Sequence, residues 1–225
     1  MNTKEKTETL AHHTMAVVGG FLGVYALMTR NETFGSSETS NLIYLTIAGL
    51  GRSWGSFAVR LGATLCYIAG IVFATLMPKY LKHTDFRYVS LLTDSTACLI
   101  LARIPAGIDP VLALYPMFFT TAVQWLAYTE AAGFASATIF STNNLRQCFA
   151  GLAEYAHSRL EVHRKRFLFY GGTLICFHVG VFFCWCCMKR WGIQSIYACL
   201  LPIGLGAAAT VLDNRTPKEN QNPGH

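Results

Sequence analysis

Residues 11–29, 111–129, 167–188 and 191–212 each form a run of 19 to 22 residues without a single Asp, Glu, Lys or Arg. A helix needs about 20 apolar residues to cross a bilayer, so each run is long enough to span. Two more runs reach that length with a blemish: 57–77 carries Arg60 near its start, and 88–106 carries Asp94 and, near its end, Arg103. Arginine near a helix end reaches the headgroups with its long stem, so both count as spans, while Asp94 remains an intramembrane acid in need of a role or a partner. Charged residues make up 13% of the 225-residue chain, about half the usual share for a water-covered domain. The composition excludes a secreted disulfide scaffold, a nucleic-acid-binding domain and a disordered tail. The net charge of +6 comes from Lys and Arg scattered between the apolar runs. The eight cysteines lie in or beside those runs, where they act as small hydrophobes and are expected to be reduced. Residues 1–10 lack the basic start and cleavage site of a signal peptide, so the first run is expected to stay in the mature protein.

Two further apolar pieces, 41–50 and 144–155, are about a dozen residues, roughly 18 Å of helix, and reach about halfway. Each follows a polar break, Phe34-Gly35-Ser36-Ser37-Glu38-Thr39-Ser40 or Phe140-Ser141-Thr142-Asn143. Ser, Thr and Asn there are the residue types that cap helix N-termini. At an offset of 103 residues Thr39-Ser40-Asn41-Leu42 falls on Thr142-Asn143-Asn144-Leu145, and Tyr25 falls on Tyr128. Each half then reads long span, break, half-length helix, long span, long span, the pattern of an internal duplication.

Charge counting selects the topology. If the short helices do not cross, each half has three crossings, the halves are inverted relative to each other, and both termini lie inside. That arrangement puts 11 basic residues inside, with the loops 79–87 and 159–166 together, and five outside. Eight crossings would put those two loops on opposite faces, so the positive-inside rule favours six; Lys189 and Arg190, on the outer side, fit least well. The expected fold is all-α: a polytopic membrane protein with six transmembrane helices, two half-length helices and two inverted three-span repeats. Its parts are a polar N-terminal tail (1–13), repeats over 14–106 and 107–212, and a polar C-terminal tail (213–225).

Unpaired backbone in hydrocarbon costs several kcal/mol per group, so a broken helix at membrane depth lines a wet cavity or is buried in protein. Two half-helices entering from opposite faces would bring their N-termini together, where amides and positive dipole ends favour an anion or a carbonyl-bearing solute. The residues expected to contact solute are Thr39, Asn41, Thr142, Asn143 and Asn144, with Gln124, Tyr25 and Tyr128 along the path. Glu38 and Glu130 flank the breaks and are candidates for proton coupling; interfacial, hydrated carboxylates are the alternative. Arg146, on the first turn of the second short helix, suits an anion, or a partner in Glu130, Glu154 or lipid phosphate. His178 reads as a hydrogen-bonded interior residue. Cys184-Trp185-Cys186-Cys187 lacks the second ligand pair a metal site needs, and no nucleophile, metalloprotease or nucleotide-binding motif is present, so neither cofactor nor catalysis is expected.

Gly19-Gly20-Phe21 with Tyr25, Phe34 through Leu42, and Thr142-Asn143-Asn144-Leu145 resemble the YoaK-type bacterial inner-membrane proteins, classed as a domain of unknown function, over about residues 14 to 212. The family's break usually reads Thr-Gly-Asn-Leu; here Ser40 and Asn143 stand at the glycine. The acid that often follows the family's Gly-Gly-Phe is Gly23 here, and its Gln-Asn pair is Gln124-Trp125, so no proton relay carries over. The resemblance implies a six-span protein of the bacterial cytoplasmic membrane with no assigned substrate. The leading expectation is a secondary transporter or facilitator of a small polar or anionic solute, with membrane lipids, the unidentified solute and a second copy in a homo-oligomer as partners. The rival is a non-transporting adaptor or assembly factor that docks a partner through the basic loop 159–166.

Overall fold

A computed structural model describes residues 2–30 and 38–217; residues 34–37 of the first break lie outside the described residues. Within the described residues the chain is mainly helical, with one small hairpin and irregular connections. Its elements are α1 (Thr3–Thr29), α2 (Glu38–Leu50), α3 (Trp54–Tyr80), α4 (Phe86–Leu101), α5 (Pro110–Ala113), α6 (Tyr115–Ala127), β1 (Glu130–Ala131), β2 (Phe134–Ala135), α7 (Thr142–Ser158), α8 (Glu161–Trp191), a 3-10 segment (Gly192–Cys199) and α9 (Leu200–Arg215). Among the described residues, three helical runs are long and apolar enough to cross a membrane: Thr3–Thr29, Trp54–Tyr80 and Glu161–Arg215. Large apolar side chains point outward along them, among them Leu65, Ile68 and Val72 on α3 and Ile175, Val179 and Phe182 on α8. A water-soluble surface does not carry such a belt; a lipid-facing one does.

Several boundaries differ from the expectation, each for a local reason. The N-terminal residues are helical because Asn2 and Glu5 form a capping box: the Asn2 side chain accepts from the Glu5 amide at 2.8 Å and the Glu5 carboxylate from the Asn2 amide at 2.9 Å. The apolar run 111–129 is divided at Leu114, after the short α5 that Asp109 caps and Pro110 opens. Trp191 ends α8, and a 3-10 segment opens the rest of the run at Gly192, whose φ of 54° is open to glycine. The hairpin turns at Ala132 and Gly133, both with positive φ, which suits the strand twist of a two-residue loop.

Side-chain contacts fix the directions of the helices. α1 and α8 run in parallel: His13 lies against Phe169 and Gly172, Val17 against Gly180, and Phe21 against Phe183. At Gly20 an added Cβ would collide with the Phe177 carbonyl, and at Gly180 with that of Val17, so the crossing is one that only glycine permits on both sides. α6 runs with α3 in the same way, Tyr115 donating to the Val59 carbonyl at 2.6 Å while Phe119 packs on Phe73 and against Gly70. α1 also packs along α9, and α6 along α4.

One end of the molecule gathers the start of α1, the start of α4 and the end of α9. Lys4 pairs with Asp213 at 2.7 Å, Arg87 with Asp213 at 2.9 Å and with Asp85 at 2.7 Å, and Asn214 donates to Asp85 at 2.9 Å. At the opposite end the fully buried Arg30, which follows α1, donates to the carbonyls of Ile104 and Pro105 at 3.2 and 3.0 Å, and Gln194 donates to that of Ala102 at 3.1 Å.

Candidate functional site

After the hairpin that follows α6 the chain runs into the interior as an irregular segment. Its depth is read against α1: the Ala132 amide donates to Glu8, Ser136 bonds His12, and the Thr138 carbonyl sits where a side chain on Gly19 would stand. From residue 8 to residue 19 a helix rises about 16 Å, roughly half a hydrocarbon core of ~30 Å. Residues 136–139 are all buried there. α7 then turns back toward the end where it began, since Gly151 packs on His163, Arg166 and Phe167 at the start of α8, and Glu154 pairs with Arg166. α2 behaves likewise toward the other end: Asn41 bonds the Arg60 carbonyl and Thr64 in α3, while Gly49 packs on Phe57 near its start.

The first turns of the two short helices therefore face each other about half-way along the long helices, in a cleft open on one side. They line a single cavity of about 650 Å³, walled by Glu38, Thr39 and Leu42 of α2, Tyr67 of α3, Trp125 of α6, and Phe140, Thr142, Asn143 and Arg146 at the start of α7. Tyr67 is the middle residue of the 27 in α3, so the cavity lies at mid-helix. A second depression, between α1, α8 and α9 and lined by Leu10, Val17, Leu205 and Leu212 among others, is an apolar groove facing outward. The cavity at the helix starts differs in holding both an acid, Glu38, and a base, Arg146.

Four of the expected residues, Glu38, Thr39, Thr142 and Asn143, line this cavity. Asn41 and Asn144 do not; they are 3% and 1% exposed and hold the framework around it. Asn41 donates to Glu38, Thr64 and the Arg60 carbonyl at 3.0 to 3.1 Å. Asn144 donates to the carbonyls of Ala137 and Phe140 at 2.8 and 3.0 Å and accepts from Ser136 at 2.9 Å, which satisfies the irregular segment in place of a helix ladder. The expected capping is absent at α7: both helices begin earlier than the apolar count suggests, and the Ser141 hydroxyl, at the cap position, makes no capping bond. The first-turn amides of α7 are thus left without a side-chain cap beside the cavity.

Gln124, Tyr25 and Tyr128 are buried in the core and not on the cavity wall. Gln124 donates to the Met15 carbonyl and Thr138, Tyr25 to the Ile193 carbonyl, and Tyr128 bonds Thr210. Glu130 lies exposed on β1, at the end of the molecule near Glu8 and remote from the cavity. His178 is exposed on the outer face of α8, its ring nitrogen 2.8 Å from the carbonyl of Leu174 one turn back, so it is not an interior residue. The eight cysteines are free thiols.

Glu38 keeps one carboxylate oxygen for Asn41 and Thr64, at 3.0 and 2.6 Å; the other is buried without a hydrogen-bond partner among the described residues. Arg146, in contrast, is exposed to the cavity, donates only to Asn143 at 2.9 Å, and has no ion-pair partner among the described residues. Asp94 belongs elsewhere: fully buried in α4, it accepts from Thr120 at 2.6 Å.

The cavity contains three aromatic residues, Tyr67, Trp125 and Phe140, the last two edge to face at 5.3 Å between ring centroids. Tyr67 was legible in the sequence only through Tyr170, which stands at the same 103-residue offset that relates the two breaks. A family model described as protein of unknown function (DUF1275) matches residues 12–212. The chain belongs to this family. The matched region takes in both short helices, the buried segment 136–139 and every residue of the cavity wall. No curated protein and no solved structure matches the chain. Membership in DUF1275 agrees with the resemblance to YoaK-type proteins and supplies no activity, so the functional argument rests on the cavity.

Proposed function

We propose that this DUF1275 protein is a secondary transporter or facilitator of a small polar or anionic solute, bound between the first turns of α2 and α7. In this reading the chain crosses the bacterial cytoplasmic membrane six times through α1, α3, α4, α5 with α6, α8, and the 3-10 segment with α9. Both termini are cytoplasmic, and α2 and α7 are re-entrant from opposite faces. The packing supports two inverted repeats: α1 lies along α8 and α9 as α6 lies along α3 and α4, and α2 sits on α3 as α7 sits on α8. The observation that carries the proposal is the mid-helix cavity shared by two helix N-termini, where Glu38, Thr39, Thr142, Asn143 and Arg146 stand beside an aromatic wall, because polar main chain at membrane depth persists only where it lines a cavity or is buried in protein.

The adaptor alternative has less support. In the loop it would use, Arg164 is held by Glu161 at 2.8 Å and Arg166 by Glu154 at 2.8 Å, leaving less free positive charge for a partner. Counterflow in proteoliposomes with a panel of labelled metabolites tests the carrier reading. Saturable exchange of at least one solute, lowered by Thr39→Ala and Thr142→Ala in protein that remains folded, is expected. A chain that exchanges nothing in the panel contradicts it.

A further inference from the structure

The wall of the cavity divides by chemistry. Thr39, Thr142, Asn143 and Arg146 bring hydrogen-bonding groups and one positive charge; Leu42, Tyr67, Trp125 and Phe140 bring an apolar, mostly aromatic surface. Arg146 has no ion-pair partner among the described residues; its one described bond is to the neutral amide oxygen of Asn143. That bond uses one terminal nitrogen and leaves the remaining guanidinium donors to meet a planar acceptor, and carboxylate matches that fork in two parallel bonds. The uncapped first turn of α7 adds its positive dipole end on the same side. Glu38 limits how much negative charge the cavity tolerates. Its carboxylate is fixed to α2 and α3 by Asn41 and Thr64, so it cannot swing away, and a second anionic group on the solute would face it.

We infer that the solute is a small organic monoanion with an apolar body, its carboxylate on Arg146, Asn143 and Thr142 and its body against Trp125, Phe140, Tyr67 and Leu42. This inference rests on the carrier reading for its biological sense, but binding itself is measured without flux. A cavity of about 650 Å³ falls within the range of small-molecule sites, so a benzoate-sized or hexanoate-sized acid fits with room for water.

The test is titration calorimetry on the full chain in detergent, with benzoate, hexanoate, acetate, succinate and glucose as probes. Benzoate or hexanoate is expected to bind, acetate and succinate at least tenfold more weakly, and glucose not at all. Arg146→Gln is expected to weaken the favoured probe at least tenfold and Arg146→Lys by less, because lysine keeps the charge and loses the fork. As a readout independent of that variant, the favoured probe is expected to slow alkylation of Thr142→Cys. Tightest binding of succinate or glucose, an Arg146→Gln protein that binds as before, or no binding by either favoured acid would overturn the inference. If glucose binds and is exchanged in proteoliposomes, the carrier reading stands and only the monoanion fails; if benzoate binds and no solute is exchanged, the site stands and the carrier reading fails.

Discussion

Asn144 and Thr142 are two positions apart and do opposite kinds of work. Asn144 satisfies two main-chain carbonyls and a buried serine, so Asn144→Ala leaves several groups unpartnered and is expected to cost about 2–3 kcal/mol, read as a lowered Tm in detergent. Thr142→Ala, on the cavity wall, is expected to leave Tm within a degree or two and to weaken solute binding instead. An Asn144→Ala protein with unchanged Tm would remove the framework role assigned to that side chain. The pattern Thr-Asn-Asn-Leu marked the place in the sequence but not this division, because which of three adjacent polar residues faces inward depends on where the helix starts. Glu130 shows the same limit: proximity to a break in the sequence says nothing of depth, and two residues of strand were enough to keep it outside. Tyr67, Trp125 and Phe140 are scattered among many aromatics, and only the packing of three elements brings them together.

At the scale of elements, the close crossing of α1 and α8 depends on Gly20 and Gly180, each pressed against the other helix's backbone. Gly20→Val and Gly180→Val are therefore expected to lower stability by more than about 2 kcal/mol or to prevent assembly, whereas Gly55→Ala, with open space around it, is expected to be silent. Thermal unfolding of the purified variants checks this, and a stable Gly20→Val would contradict the geometry. The polar cluster joining α1, α4 and α9 makes a second prediction. Burial raises the Asp85 carboxyl, but hydrogen bonds from the Arg87 side chain and amide and from Asn214 outweigh that and hold it below its ordinary value of 3.8. Its contribution is thus present above pH 3.8 and is lost as the pH falls through the lower folded value. Asp85→Asn is expected to flatten the acid limb of the Tm-against-pH profile below pH 3.8; an unaltered limb would contradict it. The long apolar helices were legible because an uncharged run of that length has few other fates. Their ends were not, since a capping box, a proline and a glycine moved them without changing hydropathy, and the buried irregular segment 136–139 carries no periodicity of its own.

For the whole molecule, the account comes down to where two helix starts lie. Duplication, the balance of basic loops and the matching of α1 on α8 with α6 on α3 all support a chain whose halves face in opposite directions, but each would survive if α2 and α7 lay flat at the surfaces. Side-resolved thiol labelling separates the two arrangements. Thr39→Cys and Asn143→Cys are placed singly in protein whose less buried cysteines, Cys66, Cys176 and Cys186, are alanine, and are exposed in sealed vesicles to a small thiosulfonate and to a bulky impermeant maleimide. The account predicts that the small reagent reaches both positions slowly and the bulky one reaches neither. Rapid labelling of both by the bulky reagent, Thr39→Cys from one side and Asn143→Cys from the other, would contradict it.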